Sequence, residues 1–161
     1  MAQLDLRNCF TYAYSGGLVA DLYQTFTAGA LSTNYIDLDV AGIQISGGAK
    51  PPWLIVKVGP VAFATNTGGA QIKLINDSVV PVFDVASGTD VVVYRFAMAT
   101  MAANALLVNQ ALPHFDYKRY LSLEFEPFTA DATTGKLCAY LSDGPESGIT
   151  APVQIVTDGF S

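Results

Sequence analysis

Residues 114–128 read HFDYKRYLSLEFEPF, and the alternation inside them decides the fold. From Tyr120 to Glu126 apolar and polar residues trade places, the period-two signature of a strand with one face in a core. Leu121, Leu123 and Phe125 form the inner set, and Tyr120, Ser122, Glu124 and Glu126 the outer set. Extending the parity backward puts Tyr117 and Arg119 on the inner face, at its mouth. A guanidinium there needs a carboxylate or carbonyl oxygens, because an unpaired buried charge is strongly unfavourable. Asp116 is the nearest candidate partner. Asp116, Tyr117, Lys118, Arg119 and Tyr120 therefore read either as a charged plug at one end of a sandwich, which discourages stray edge pairing, or as a contact patch, since Tyr and Arg often anchor interfaces.

Outward from this stretch the same rhythm recurs. Candidate strands are YIDLDV (35–40), WLIVKV (53–58), VAFAT (61–65), AQIKLIN (70–76), VVVYRFA (91–97), ALLVN (105–109) and KLCAYLS (136–142), with PVQIVT (152–157) a short last one. SGGAKPP (46–52), NTGG (66–69) and ASGTD (86–90) supply the glycines, prolines and small polar residues that end strands. FAMATMAANALL suits one short helical turn, with Met98 and Met101 as core fillers. This pattern predicts an all-β fold, a sandwich or barrel, as a single domain over residues 35–161 with a loose C-terminal tail. Residues 1–34 lack clean alternation and scatter Phe10, Tyr12, Tyr14, Tyr23 and Phe26 among glycines and hydroxyl residues. They read as an irregular N-terminal arm that docks on a neighbouring subunit through those aromatics, or as an edge segment that closes the sandwich.

Charge is scarce. Asp, Glu, Lys and Arg make up 14% of the chain, against about 25% in ordinary soluble domains. The net charge of −6, with only eight Lys and Arg, argues against a nucleic-acid binder, which needs clustered cations for phosphate contacts. The apolar runs are far shorter than a membrane-spanning helix needs, so no membrane association is expected. MAQLDLRNCF lacks a basic start followed by an apolar stretch, so no secretory signal is expected. An exterior built largely of Ser, Thr, Gly, Asn, Gln and Ala is easily desolvated, which favours burial against other proteins.

Catalytic material is thin. His114 is the single histidine, in a loop after Pro113, and Cys9 and Cys138 stand at opposite ends of the chain as expected free thiols. No catalytic, metal or cofactor site is expected. Glu124 and Glu126 share one face of their strand, with Cα atoms about 7 Å apart. Glycosidases place their two carboxyl groups on opposite sides of a sugar, so this pair more simply keeps a face wet. Asp37 and Asp39 form a similar pair. GGAK and TGGA lack phosphate-loop spacing and are turn elements.

The run DYKRYLSLEF, followed after a Thr/Gly-rich turn by GKLCAYLSD, and STNYIDLDVAG at residues 32–42 resemble the capsid cement, or decoration, proteins of tailed bacteriophages, the family typified by the cement protein of a Bordetella phage. The resemblance spans roughly residues 30–143 and is sharpest in TNYIDL and DYKRYLSL. That family commonly carries Gly where Asp39 stands and begins with a shorter, less aromatic arm. The resemblance implies a jelly roll that sits on the outside of an icosahedral head and bridges major capsid proteins, made in the bacterial host cytoplasm and carrying no enzyme activity. It also implies a homo-oligomer, with a homodimer ahead of a homotrimer. Two other readings stand beside it: a carbohydrate-binding β-sandwich on a phage or bacterial surface with an exposed Tyr or Trp as platform, and a small hydrolase using Glu124 or His114. Trp53 begins the apolar WLIVKV and is expected in the core rather than on a sugar platform.

Overall fold

Short apolar runs cut by glycine and proline become short strands in the computed structural model, which describes residues 8–15, 18–26, 28–39, 51–64, 68–81, 88–114, 116–129, 131–146 and 154–156. In chain order these are β1 (Ala13–Ser15), β2 (Leu18–Asp21), β3 (Gln24–Thr25), β4 (Ala30–Leu31), β5 (Ile36–Asp37) and β6 (Trp53–Val58). They continue with β7 (Ala70–Asp77), β8 (Thr89–Phe96), β9 (Leu106–Ala111), β10 (Tyr120–Pro127), β11 (Lys136–Ser142) and β12 (Gln154–Val156). A 3-10 turn, Met98–Thr100, precedes the fully buried Met101. The expected turn residues 46–50, 66–67 and 86–87, the extreme N-terminus and most of the tail lie outside the described residues, as does the side chain of Tyr14.

Two antiparallel sheets face each other. One has the order β12-β8-β7-β10-β4, with β5 also on β10, and the other β3-β11-β6-β9. The pairing is nested: β7 with β8, then β6 with β9, then β4 and β5 with β10, then β3 with β11. One long antiparallel ribbon wrapped into two sheets in this way is a jelly roll. β4 and β5 are one strand interrupted at Ser32, whose hydroxyl accepts from Leu123 N at 3.0 Å and donates to Asn34 O at 2.7 Å. That hydroxyl satisfies the ladder donor that the break would otherwise strand.

The sequence parity of β10 holds where it faces inward: Leu121, Leu123 and Phe125 are buried. Phe125 is the hub, with ring centroids of Phe26 and Phe63 at 5.5 and 5.3 Å. VAFAT differs from its expected form. Among its described residues, 61–64, Ala64 alone makes a bridge, to Thr134, because this stretch carries the chain from one sheet to the other. Its apolar residues reflect Phe63, which plugs the core where the sheets part. YIDLDV likewise shortens to the two residues of β5.

The first 34 residues supply edge strands to both sheets, β3 on β11 and β4 on β10. Cys9 bridges Tyr140, Phe10 N donates to Ala139 O at 2.9 Å, and Ala139 N donates to Thr11 Oγ1 at 2.8 Å. Phe10 and Phe26 are buried in the main core and so are not available as arm contacts. Tyr12 and Tyr23 pack, with Trp53, on a second cluster made by Cys9, Ile55, Leu106, Cys138 and Tyr140. In this way an aromatic segment without alternation covers the outer face of the four-stranded sheet. The β1–β2 hairpin forms a separate two-stranded sheet, tied at its base by Lys136 Nζ to Asp21 Oδ2 at 2.6 Å.

Both cysteines are free and buried. Burial pushes the Cys138 thiol up to about 11, which leaves almost no thiolate near neutral pH. A thiol-titrating disulfide reagent at pH 8 should therefore leave the native protein unmodified while labelling both thiols at once in denaturant. Rapid labelling of a native thiol would show that the N-terminal segment lifts off β11.

Candidate functional site

The charged stretch that opens β10 is organised by a buried amide. Asn76, fully buried in β7, accepts from Lys118 N on Oδ1 at 2.6 Å, and its Nδ2 donates to Asp116 O at 3.4 Å. This pins the backbone of residues 116–118 to the end of the six-stranded sheet. Tyr117 turns inward, is fully buried and donates its hydroxyl to Pro113 O at 2.9 Å. Its burial raises the phenol's pKa, with the neighbouring Tyr94 adding to the effect. Asp116 is exposed and Lys118 half-exposed, with Lys118 Nζ 3.4 Å from Thr89 Oγ1. Asn76→Ala should lower stability by about 2 kcal/mol, because it strands the Lys118 amide and removes buried volume. Chemical denaturation of the variant checks this.

Arg119 departs from its expected place. Its side chain is 44% exposed, and its partner is Asp37 rather than Asp116. Nε donates to Asp37 Oδ1 at 2.8 Å and Nη2 to Oδ2 at 2.9 Å, a two-pronged contact. The chain bends at Arg119, so strand parity does not run back through it, and β5 delivers Asp37 beside Tyr120. Leu38 N donates to Arg119 O and Asp39 N to Asp37 Oδ1, each at 2.8 Å. Hydrogen bonding from Arg119 holds the Asp37 carboxyl below the usual carboxylate range and raises the guanidinium further. Asp39 sits at φ 68°, a left-handed conformation in which glycine is unstrained.

Tyr120 was expected on the open outer face. It is on that face but only 9% exposed, because Tyr35 stands edge-on against it with centroids 5.4 Å apart. The Arg119 guanidinium lies 5.1 Å from the Tyr120 ring centre. Beyond β7 at the same end, the turn carries Val79 and Val80, 64% and 42% exposed. Sequence alone does not single out Tyr35 or the two valines, and it reads Asp37 only as one of a carboxylate pair with Asp39, not as the partner of Arg119. The available signal was the valine doublet inside a turn-forming stretch, NDSVVP.

The two glutamates of β10 do share a face, and Lys73 on β7 takes both, 3.1 Å from Glu124 and 2.7 Å from Glu126. Gln71 Nε2 donates to Glu126 Oε2 at 2.6 Å. Hydrogen bonds from Lys73 and then Gln71 hold the Glu126 carboxyl below its ordinary value. One ammonium bridging two carboxylates on a flat sheet makes a cross-strand tie, not an acid and base set across a substrate. A depressed folded-state pKa means stability present above the unfolded value, about 4.3, and lost as pH falls through the folded one. Melting temperature should accordingly drop on acidification below that point, and Glu126→Gln should flatten the drop. His114 is exposed in its loop, and no group of three or more His, Cys, Asp or Glu side chains able to hold a metal occurs among the described residues.

Fold and surface together define a jelly-roll β-sandwich with a polar, aromatic end patch and cross-strand ion pairs. The Bbp16 family model matches residues 21–141, from just before β3 to the penultimate residue of β11. The chain belongs to the Bbp16 family, whose name is that of a Bordetella phage protein, and it is therefore placed among phage proteins. No curated protein matches the chain.

Proposed function

We propose that this phage protein is a cement protein, binding the outside of a tailed-phage icosahedral head and bridging major capsid proteins. The observation that carries the reading is the family match across the whole wrapped ribbon, β3 to β11. It is supported by the likeness of TNYIDL and DYKRYLSL to Bordetella-phage cement proteins and by the low charge content, 14%, which suits an exterior meant to be covered. The role needs no reaction and no cofactor. A protein that binds the assembled shell but not dispersed capsomers stabilises the shell by its binding free energy, repeated over many copies. The working unit is a homo-oligomer, a homodimer ahead of a homotrimer, on the virion surface after synthesis in the host cytoplasm.

The test compares heads of its own phage assembled with and without the protein. Heads carrying it should survive several degrees more heating before releasing DNA, and adding purified protein to bare heads should restore the difference. Equal thresholds would remove the cement role.

A further inference from the structure

The end of the six-stranded sheet at which β10 begins combines features that seldom occur together on a free surface. Val79 and Val80 project from the turn after β7, and Tyr35 is exposed on the same end, one strand beyond Tyr120. Exposed apolar pairs are unusual just past the end of a strand, and Val79 and Val80, being exposed, add little to the core. The first of them is tied to the sheet: Val79 N donates to Asp77 Oδ1 at 3.0 Å, and Asp77 lies opposite Tyr120. The neighbouring Tyr120, Arg119 and Asp37 are fixed by ring contact and a two-pronged ion pair, so the surface is preorganised. At this end of the sheet the exposed charge is mainly negative. Asp37, Asp39, Asp90 and Asp116 are exposed, against Lys118 and Arg119, and Arg119 is already matched to Asp37.

We propose that this end, with the Val79–Val80 tip at its centre, is the surface that docks on a basic, partly apolar segment of a neighbouring shell protein. The inference rests on the cement reading and adds to it which end of the jelly roll faces the shell. Charge decides the occupant. A second copy applied through the same end would set one acidic rim against another, whereas a Lys- or Arg-bearing segment would find carboxylates around an apolar centre.

The experiment is co-sedimentation with heads of its own phage assembled without the protein, at low and high salt. Val79→Ser with Val80→Ser should weaken binding about tenfold or more, since two valines lose their burial, while leaving the melting temperature unchanged. Asp39→Asn with Asp116→Asn should weaken binding at low salt and flatten its salt dependence. Val61→Asp, at the opposite end of the sandwich, should bind as the unaltered protein does. If the unaltered protein binds heads and the serine variant binds equally well, this inference is overturned and the cement reading stands. If the serine variant instead splits a homo-oligomer, the end faces a second copy and the inference is likewise overturned. If the unaltered protein does not sediment with heads at any salt, the cement reading itself falls.

Discussion

Phe125→Ala should lower the unfolding free energy by about 4 kcal/mol, toward the upper end for aromatic truncation in a core. Phe125 is 1% exposed and joins three parts of the chain: Phe26 from the N-terminal edge, Phe63 from the crossover after β6, and its own strand β10. Phe26 and Phe125 border a void of about 10 Å³ lined also by Thr11, Val56, Ile72, Leu137 and Ala139. Removing the ring merges the new space with that void, and two hydrogen-bonded sheets cannot close together to fill it. Urea denaturation should show a lower midpoint with an unchanged slope. A loss below about 1.5 kcal/mol would mean that the sheets do collapse into the space.

Gly135→Ala should be nearly as damaging, by about 3 kcal/mol, for two separate reasons. Gly135 has φ +146°, a conformation that side chains rarely adopt, and a Cβ there would lie 2.3 Å from the Phe63 ring. The turn before β11 must pass directly over that ring because Ala64 and Thr134 bridge beside it. The two contributions can be separated. In a Phe63→Ala background the steric part disappears and only the backbone part remains, so the double variant should be more stable than the sum of the single losses implies. Additive losses would assign the whole effect to the backbone.

Much of the sandwich was legible because strands with one face in a core write that fact in period two. WLIVKV becomes β6 without a change of boundary, and AQIKLIN and YLSLEFE become β7 and β10 with one residue added. What escaped was set by partners distant in sequence. Gln24–Thr25 and Ala30–Leu31 are strands only because β11 and β10 lie beside them, and two-residue strands have no period to read. Apolar content in VAFAT records burial of Phe63 at a crossover, which pattern alone cannot tell from a strand. At the end patch, the stretch Asp116–Tyr120 was visible as a concentration of charge, but Arg119's partner was not. Parity assumes a straight strand, the chain bends at Arg119, and Asp37 arrives from a segment more than eighty residues earlier.

The nested pairing also governs how the molecule comes into being. Within the two facing sheets, β7 and β8 are the paired strands that also follow each other in the chain; each later layer closes a longer loop, until β3 meets β11 more than a hundred residues downstream. Such high contact order slows folding, since each loop is closed before its contacts can form. A nascent chain emerging from the ribosome would hold β6 with one flank bare until Lys136–Ser142 has been synthesised. Translation stalled before that point should yield an aggregating fragment, and the protein should accumulate most cleanly where synthesis through β11 is fast.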